Sequence, residues 1–212
     1  MVEKVEIYFI RHGESTGNKE DRFRGQHDFE LNETGIDQAE ALKNELSGVN
    51  FITIYSSPLK RALKTASILA GRTQTLKIEE GFTNIHLGSW ENRRKDEIRK
   101  QYPDLWKLWL IEPEKLFFPG METLAEVRER SWVTLQKILS IHGTGPLGIV
   151  THRAVLKPLF AAMLDIPEPY FWKFHLDTAS YSIAEYRPDR GFTFTSINQT
   201  RHMKSFIRED LG

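Results

Sequence analysis

The 212-residue chain contains no cysteine. That absence removes a disulfide framework, a zinc–thiolate site and a cysteine nucleophile together, and leaves histidine, serine, threonine and carboxylates as the available chemistry. Net charge is missing as well: 29 Lys and Arg balance 29 Asp and Glu, so neither a global basic field nor an acidic tail argues for nucleic acid. Any anion must therefore be met by a local cluster. No apolar run approaches membrane-spanning length, and the start, MVEKVEIYFI, scatters its charges through a short strand-like stretch unlike a signal peptide. These readings predict a cytoplasmic protein with no nucleic-acid and no membrane partner; its assembly state is open, a homodimer included. Repeats, low-complexity tracts and linkers are absent too, so residues 1–212 are expected to form one domain around a proper core.

What is present alternates. Residues 5–10, VEIYFI, are a nearly continuous β-branched and aromatic run, as expected of an interior strand covered on both faces. A polar loop follows, then a helix with Asn32 as N-cap and Ile36, Ala39, Leu42 and Leu46 as its apolar stripe. The pattern recurs with a strand at 51–57 and a helix opened by Pro58, whose face is Leu59, Ala62, Leu63, Ala66 and Leu69. A third strand over 146–152 runs into the apolar helix AVLKPLFAAML, and SYSIAEYRPDRGFTFTSIN reads as a hairpin turning at PDRG. Residues 85–120, rich in Trp, Arg and Lys and broken by Pro103, Pro113 and Pro119, look like a cap insertion, followed by a helix from about Glu122 to His142. The expected fold is α/β: a three-layer sandwich with a mainly parallel central sheet, helices on both faces and a small helical cap.

Ligands of open α/β sheets bind beyond the carboxyl ends of the strands. Three strand ends here carry unusual residues: Arg11–His12, then SSPLKR with Arg61 one turn into its helix, then Thr151–His152–Arg153. Each residue alone would suit a satisfied core or a solvated surface. Together, if the strands are parallel neighbours, they gather two histidines and up to three arginines, which costs Coulomb energy unless an anion accepts them. A phosphoryl group is the simplest such anion, because guanidinium forks match its oxygens and helix N-termini favour it. A histidine beside the phosphorus makes transfer to the imidazole possible, splitting one hard displacement into two easier ones. With the cations built in, neither a metal nor a cofactor is needed.

The chain resembles the histidine phosphatase superfamily, the phosphoglycerate mutase-like proteins, over essentially its whole length, and their phosphatase branch in particular. RHGES with Asn18 resembles the signature motif, SSPLKRALKTA the second, arginine-bearing motif, IHLGSWEN the Gly-x-Trp-Glu segment and VTHRAVLK the second-histidine motif. The resemblance implies that His12 is the phosphorylated nucleophile, that Arg11, Arg61 and His152 hold the phosphoryl oxygens, and that Asn18 is a further contact. Arg24, Gly25, Asn84, Thr151 and Arg153 join the expected substrate-binding set. His12 must attack as neutral imidazole, which requires its other nitrogen to donate to a backbone carbonyl. The implied activity is a cofactor-independent phosphomonoesterase acting on small phosphorylated metabolites, with a phosphoglycerate mutase and a weakly active phosphate-binding or regulatory protein as alternatives.

Three positions depart from the family pattern. Asn84 stands where the family has a glutamate that protonates the leaving group, and an amide cannot supply that step, typically worth about 10²–10⁴-fold. Glu80, His86, Glu91 and Glu122 are substitutes by sequence proximity or motif; otherwise the substrate leaves easily or the enzyme is weak. Arg24 stands where glutamine is common and Arg153 where a glycine follows the second histidine. With Arg93 and Arg94 they form either a solvated basic rim or a site for a second anionic group on the substrate. Trp90, Trp106, Trp109, Phe117 and Phe118 are either an apolar wall for that substrate or the cap's own small core.

Overall fold

The computed structural model describes residues 4–204. In chain order the elements are β1 (Val5–Arg11), α1 (Thr16–Lys19), α2 (Glu33–Glu45), β2 (Thr53–Ser56), α3 (Lys60–Ala70), β3 (Leu76–Ile78), α4 (Lys95–Gln101), α5 (Pro103–Ile111), α6 (Leu124–Ile141), β4 (Leu147–Thr151), α7 (Arg153–Met163), β5 (Tyr181–Arg187) and β6 (Gly191–Gln199). The strands make one sheet in the order β3-β2-β4-β1-β5-β6. The first four run parallel, and the β5–β6 hairpin adds antiparallel to β1. This is the expected α/β architecture with a mainly parallel sheet.

Alternation along β1 explains the layers, because successive side chains leave opposite faces of a strand. Ile7 and Phe9 join Leu147 and Ile149 in a core with Val127, Leu135 and Ile138 of α6 and Val155, Leu159 and Phe160 of α7. Tyr8 and Ile10 join Ile54 and Val150 in a second core with Leu42 of α2 and Ala62, Ala66 and Leu69 of α3. A strand buried on both faces has to read as one apolar run, which is how residues 5–10 read.

Local signals set the helix ends. The Asn32 side chain accepts the Gly35 N–H at 2.8 Å, opening α2 where expected. Ile36, the first member of the expected stripe, is 38% exposed, and Gln38 is buried in its place. The Gln38 carbonyl Oε1 accepts the Glu14 N–H at 2.8 Å, so a polar contact to the strand-end loop displaces part of the apolar pattern. Thr123 and Glu126 form a reciprocal capping box at the start of α6. β3 escapes sequence reading because three residues at a sheet edge are too few to carry a period.

Segment 85–120 holds α4 and α5 with short 3₁₀ turns on either side. Its aromatics are chiefly a small core: Trp90 is 1% exposed, with ring centroids 4.9 Å from Phe23 and 4.8 Å from Phe118. Phe117 is 61% exposed and belongs to neither role. Trp109 packs 5.5 Å from Phe171 and also lines the cleft over the sheet.

Candidate active site

Parallel pairing brings the three charged strand ends together. β1 and β4 are in register at Arg11 opposite Thr151, so the residues that follow, His12 and His152, emerge side by side with ring centroids 5.1 Å apart. The backbone of His12 is held from two directions: its N–H donates to the Thr151 carbonyl and its carbonyl accepts from Ala179 N–H, each at 3.0 Å. The next residue is tied to α3, since Gly13 N–H donates to Thr65 Oγ1 at 3.1 Å and that hydroxyl donates to the Arg61 carbonyl at 2.8 Å.

The His12 side chain is buried, and its Nδ1 lies 2.7 Å from the Gly13 carbonyl. A carbonyl only accepts, so Nδ1 carries the hydrogen and Nε2 keeps its lone pair. Burial, then the charges of Arg61 and Arg11, hold the His12 pKa well below 6.5, so the ring is neutral at physiological pH. His152 is depressed in the same way by burial first and Arg61 second. Its Nε2 sits 2.8 Å from the Ser57 hydroxyl at the end of β2, while Nδ1 is buried with no hydrogen-bond partner.

Arg61 is fully buried on the first turn of α3. Its two terminal nitrogens donate to His27 O at 2.9 Å and Gly25 O at 2.8 Å, leaving a buried Nε with no acceptor. Burial and the neighbouring Arg24 bring its pKa down to about 9, so it remains a cation at neutral pH. Arg11 is buried and donates to the Leu176 carbonyl at 2.7 Å. The unpartnered buried Nε of Arg61 beside a neutral imidazole calls for an acceptor, because a buried donor costs about 1–3 kcal/mol while unsatisfied.

A cleft opens above this group. Among the expected site residues, Arg11, His12, Arg24, Gly25, Asn84, His152 and Arg153 line it. Asn18, Arg61 and Thr151 are outside that lining. The Asn18 side-chain oxygen accepts from Ser15 N–H and Ser15 Oγ at 3.1 and 2.6 Å, and Thr151 Oγ1 donates to Phe82 O at 2.6 Å. Gly25 has φ +48°, and a Cβ there would lie 2.3 Å from Glu91 Oε1, so any side chain would be strained and would displace Glu91.

Asn84 is buried, its amide N–H₂ donates to Gly25 O at 2.8 Å, and its Oδ1 has no partner. Of the substitute acids, none lines the cleft. Glu80 and His86 are exposed. Glu91 Oε1 accepts from Gln26 N–H at 2.8 Å and Leu87 N–H at 3.0 Å, and Glu122 pairs with Arg130 at 2.6 Å. Arg93 and Arg94, expected at the mouth, point elsewhere: Arg93 donates to Gln101 and Arg94 pairs with Asp96 at 3.1 Å. Arg22 and Lys95 line the cleft instead, together with Phe23, Trp109 and Phe171. Sequence reasoning also missed Ser57 and the Leu176 carbonyl, of which only Ser57 had a signal, as part of the SSP run at a strand end.

A doubly covered parallel sheet whose strand ends seat a neutral imidazole among buried cations defines an enzyme that handles an oxyanion with histidine. Comparison with known proteins agrees. Residues 7–200 match the model of the histidine phosphatase superfamily, branch 1. Phosphoserine phosphatase 1 of Hydrogenobacter thermophilus is 33% identical over 207 residues, 97% of each chain. Among solved structures, Bacillus stearothermophilus YhfR superposes with a TM-score of 0.88 at 33% identity, covering 93% of this chain and 98% of its own. Phosphoserine phosphatase of Entamoeba histolytica, solved in complex with 3-phosphoglyceric acid, superposes with a TM-score of 0.82 at 28% identity over 93% and 98%. The chain belongs to the histidine phosphatase superfamily, and it is a phosphatase with histidine-based catalysis. Among the described residues no helix is long and apolar enough to cross a membrane.

Proposed function

We propose that this protein is a cofactor-independent phosphomonoesterase of small phosphorylated metabolites that works through a phosphohistidine on His12. The observation that carries the reading is the 2.7 Å contact of His12 Nδ1 with the Gly13 carbonyl, which leaves Nε2 unprotonated in a ring that its surroundings keep neutral. In the first step the Nε2 lone pair forms the N–P bond as the P–O bond to the leaving group breaks. In the second, water attacks phosphorus, the N–P bond breaks and inorganic phosphate leaves. Arg61 and His152 each keep a buried nitrogen unpartnered, Nε and Nδ1, and these suit the phosphoryl oxygens. Arg11 adds its charge from the strand end, and α7, which starts directly after His152, adds its positive end. Asn18 acts through the Ser15 turn that shapes the loop after His12.

The leaving oxygen departs on the side of Asn84. Since none of the four substitute acids lines the cleft, the proton comes from solvent and the enzyme favours esters that leave readily. Residues 85–120 form the cap over a single catalytic domain, in the cytoplasm. The open cleft admits water, which favours hydrolysis over transfer back to a second substrate oxygen. A metal-free screen over sugar phosphates, phosphoglycerates, nucleotides and aryl phosphates tests this, run beside a mutase assay. Phosphate release should exceed mutase turnover, and His12→Ala should abolish release. Mutase turnover above release would overturn the reading in favour of an isomerase.

A further inference from the structure

Residues 176–180, which lead into β5, hold the end of β1 at three points. Arg11 N–H donates to Ser180 O at 3.0 Å, Arg11 Nη1 donates to Leu176 O at 2.7 Å, and Ala179 N–H donates to His12 O at 3.0 Å. The segment keeps an uncommon backbone. Ala179 has φ +51°, in the left-handed region that a Cβ disfavours. Such a conformation persists only where its surroundings impose it. The segment's hydroxyls impose nothing, since Thr178 Oγ1 and Ser180 Oγ are buried with no hydrogen-bond partner among the described residues. The restraint comes instead from β6. Pairing runs from Tyr181–Gln199 to Ile183–Ser196, so β6 has one residue more than β5 over that stretch, which makes a bulge. Asn198 lies in the bulge at φ +54°, a conformation that asparagine tolerates. Its Oδ1 accepts Asp177 N–H at 2.8 Å, and its Nδ2 donates to Asp177 Oδ2 at 2.9 Å. The other oxygen of the buried Asp177 meets His175 Nε2 at 3.0 Å, and His202 Nε2 donates to Ala179 O at 3.1 Å.

Resting on the phosphatase reading above, we infer that Asp177 and Asn198 are positioning residues for the phosphoryl site, acting through the Leu176 carbonyl on Arg11 and through Ala179 N–H on His12. Neither is among the residues that line the cleft, so neither touches substrate. Leu176 O is the carbonyl next to Asp177 in the chain, and clamping Asp177 at both its N–H and its carboxylate fixes where that carbonyl sits. The carbonyl takes one guanidinium hydrogen and so sets the direction of the Arg11 fork. A guanidinium left to swing still attracts a phosphate by its charge, but it loses the alignment that the phosphoryl group requires in flight. Loss of the clamp therefore weakens stabilisation of the transition state more than binding of the ground state.

Three variants of the full chain test this. Asn198→Gly removes both side-chain bonds and suits φ +54°, and Asn198→Asp sets a second carboxylate against Asp177. Asp177→Asn combined with Asn198→Asp exchanges the amide and the carboxylate, so the side-chain bond re-forms in the opposite sense and Asp177's backbone N–H keeps an acceptor. Each is assayed for kcat and KM on p-nitrophenyl phosphate and for inhibition by inorganic phosphate and by orthovanadate, a mimic of five-coordinate phosphorus, beside its melting temperature. Both single variants should lower kcat by about 10-fold or more, with KM changed less and orthovanadate affinity falling more than phosphate affinity. The reciprocal double variant should return kcat to within about twofold of the parent, the usual scatter of additive energies. Parental kcat in Asn198→Gly, a loss confined to KM, or a double variant no faster than Asn198→Asp overturns the inference. If Asn198→Asp does not fold, Asn198→Gly and the double variant decide by the same ratios. A parent that fails to hydrolyse p-nitrophenyl phosphate overturns the phosphatase reading instead. Calorimetric phosphate affinity then decides the positioning role: weakened in Asn198→Gly and restored in the double variant supports it, and unchanged in Asn198→Gly overturns it.

Discussion

At the scale of single residues, the proposed departure of the leaving group on the side of Asn84 can be tested directly. The Asn84 amide nitrogen donates to Gly25 O and its Oδ1 is a buried acceptor without a partner. Asn84→Glu is expected to raise kcat on alkyl phosphates by about 10-fold or more, within the usual reach of general-acid catalysis. Aryl phosphates, whose leaving groups need little help, should change far less. Steady-state rates on a matched alkyl and aryl series check this, and equal acceleration of both, or none, would place Asn84 away from the leaving oxygen. His12 makes a second case. A strand that breaks from apolar residues into Arg-His-Gly-Glu announces a site, and the Gly13 carbonyl fixes the His12 tautomer that the proposed attack requires. The identity of that carbonyl was hidden from sequence because any residue brings one. The same holds for Leu176 and Arg11. Arg94 and Lys95 show the remaining limit: they are neighbours in sequence, yet as N-cap and first residue of α4 one pairs outward and the other lines the cleft.

At the scale of elements, α2 docks closely on the loop after β1 and holds residues 13–14 in place. Asn32 Nδ2 donates to Glu14 Oε1 at 2.7 Å, Asn32 N–H donates to Glu14 O at 3.1 Å, and Gln38 accepts Glu14 N–H. The approach is close enough that a Cβ on Gly35 would fall 1.9 Å from the Glu14 carbonyl oxygen, which is backbone and has no rotamer to escape into. Gly35→Ala should destabilise the fold by about 1–3 kcal/mol and lower kcat/KM as well, because relief of the clash moves residues 13–14. Denaturant melts and kinetics of the same variant test both. Stability unchanged within error would show that the loop yields freely. The hydrophobic periods of β1, α3 and β4 were legible because buried elements must carry them. Ile36 was misread because the pattern records hydrophobicity and not the hydrogen bond that puts Gln38 inside.

At the scale of the whole molecule, two buried histidines make stability depend on pH. Both His12 and His152 have folded pKa values held below the ordinary 6.5, so the folded state binds fewer protons than the unfolded one. Their neutral burial costs nothing extra above about pH 6.5, and stability is lost progressively as pH falls below it. Melting temperatures should therefore decline from pH 7 toward pH 5, and His152→Asn should flatten that decline. A profile as steep in the variant as in the parent would contradict the assignment. Saturating inorganic phosphate should raise the melting temperature, with about 2.7 kcal/mol of stabilisation at 100 times its Kd. The fold class was readable from alternation alone, whereas the assembly of one site from three strand ends depended on a parallel order that only tertiary pairing sets.

The most direct test of the central claim is to quench the enzyme in alkali during turnover of a labelled phosphomonoester and map the bound phosphate by mass spectrometry. One acid-labile, base-stable phosphate is expected on His12, absent in His12→Ala. Turnover with no protein-bound phosphate, or with phosphate on another residue, would contradict it.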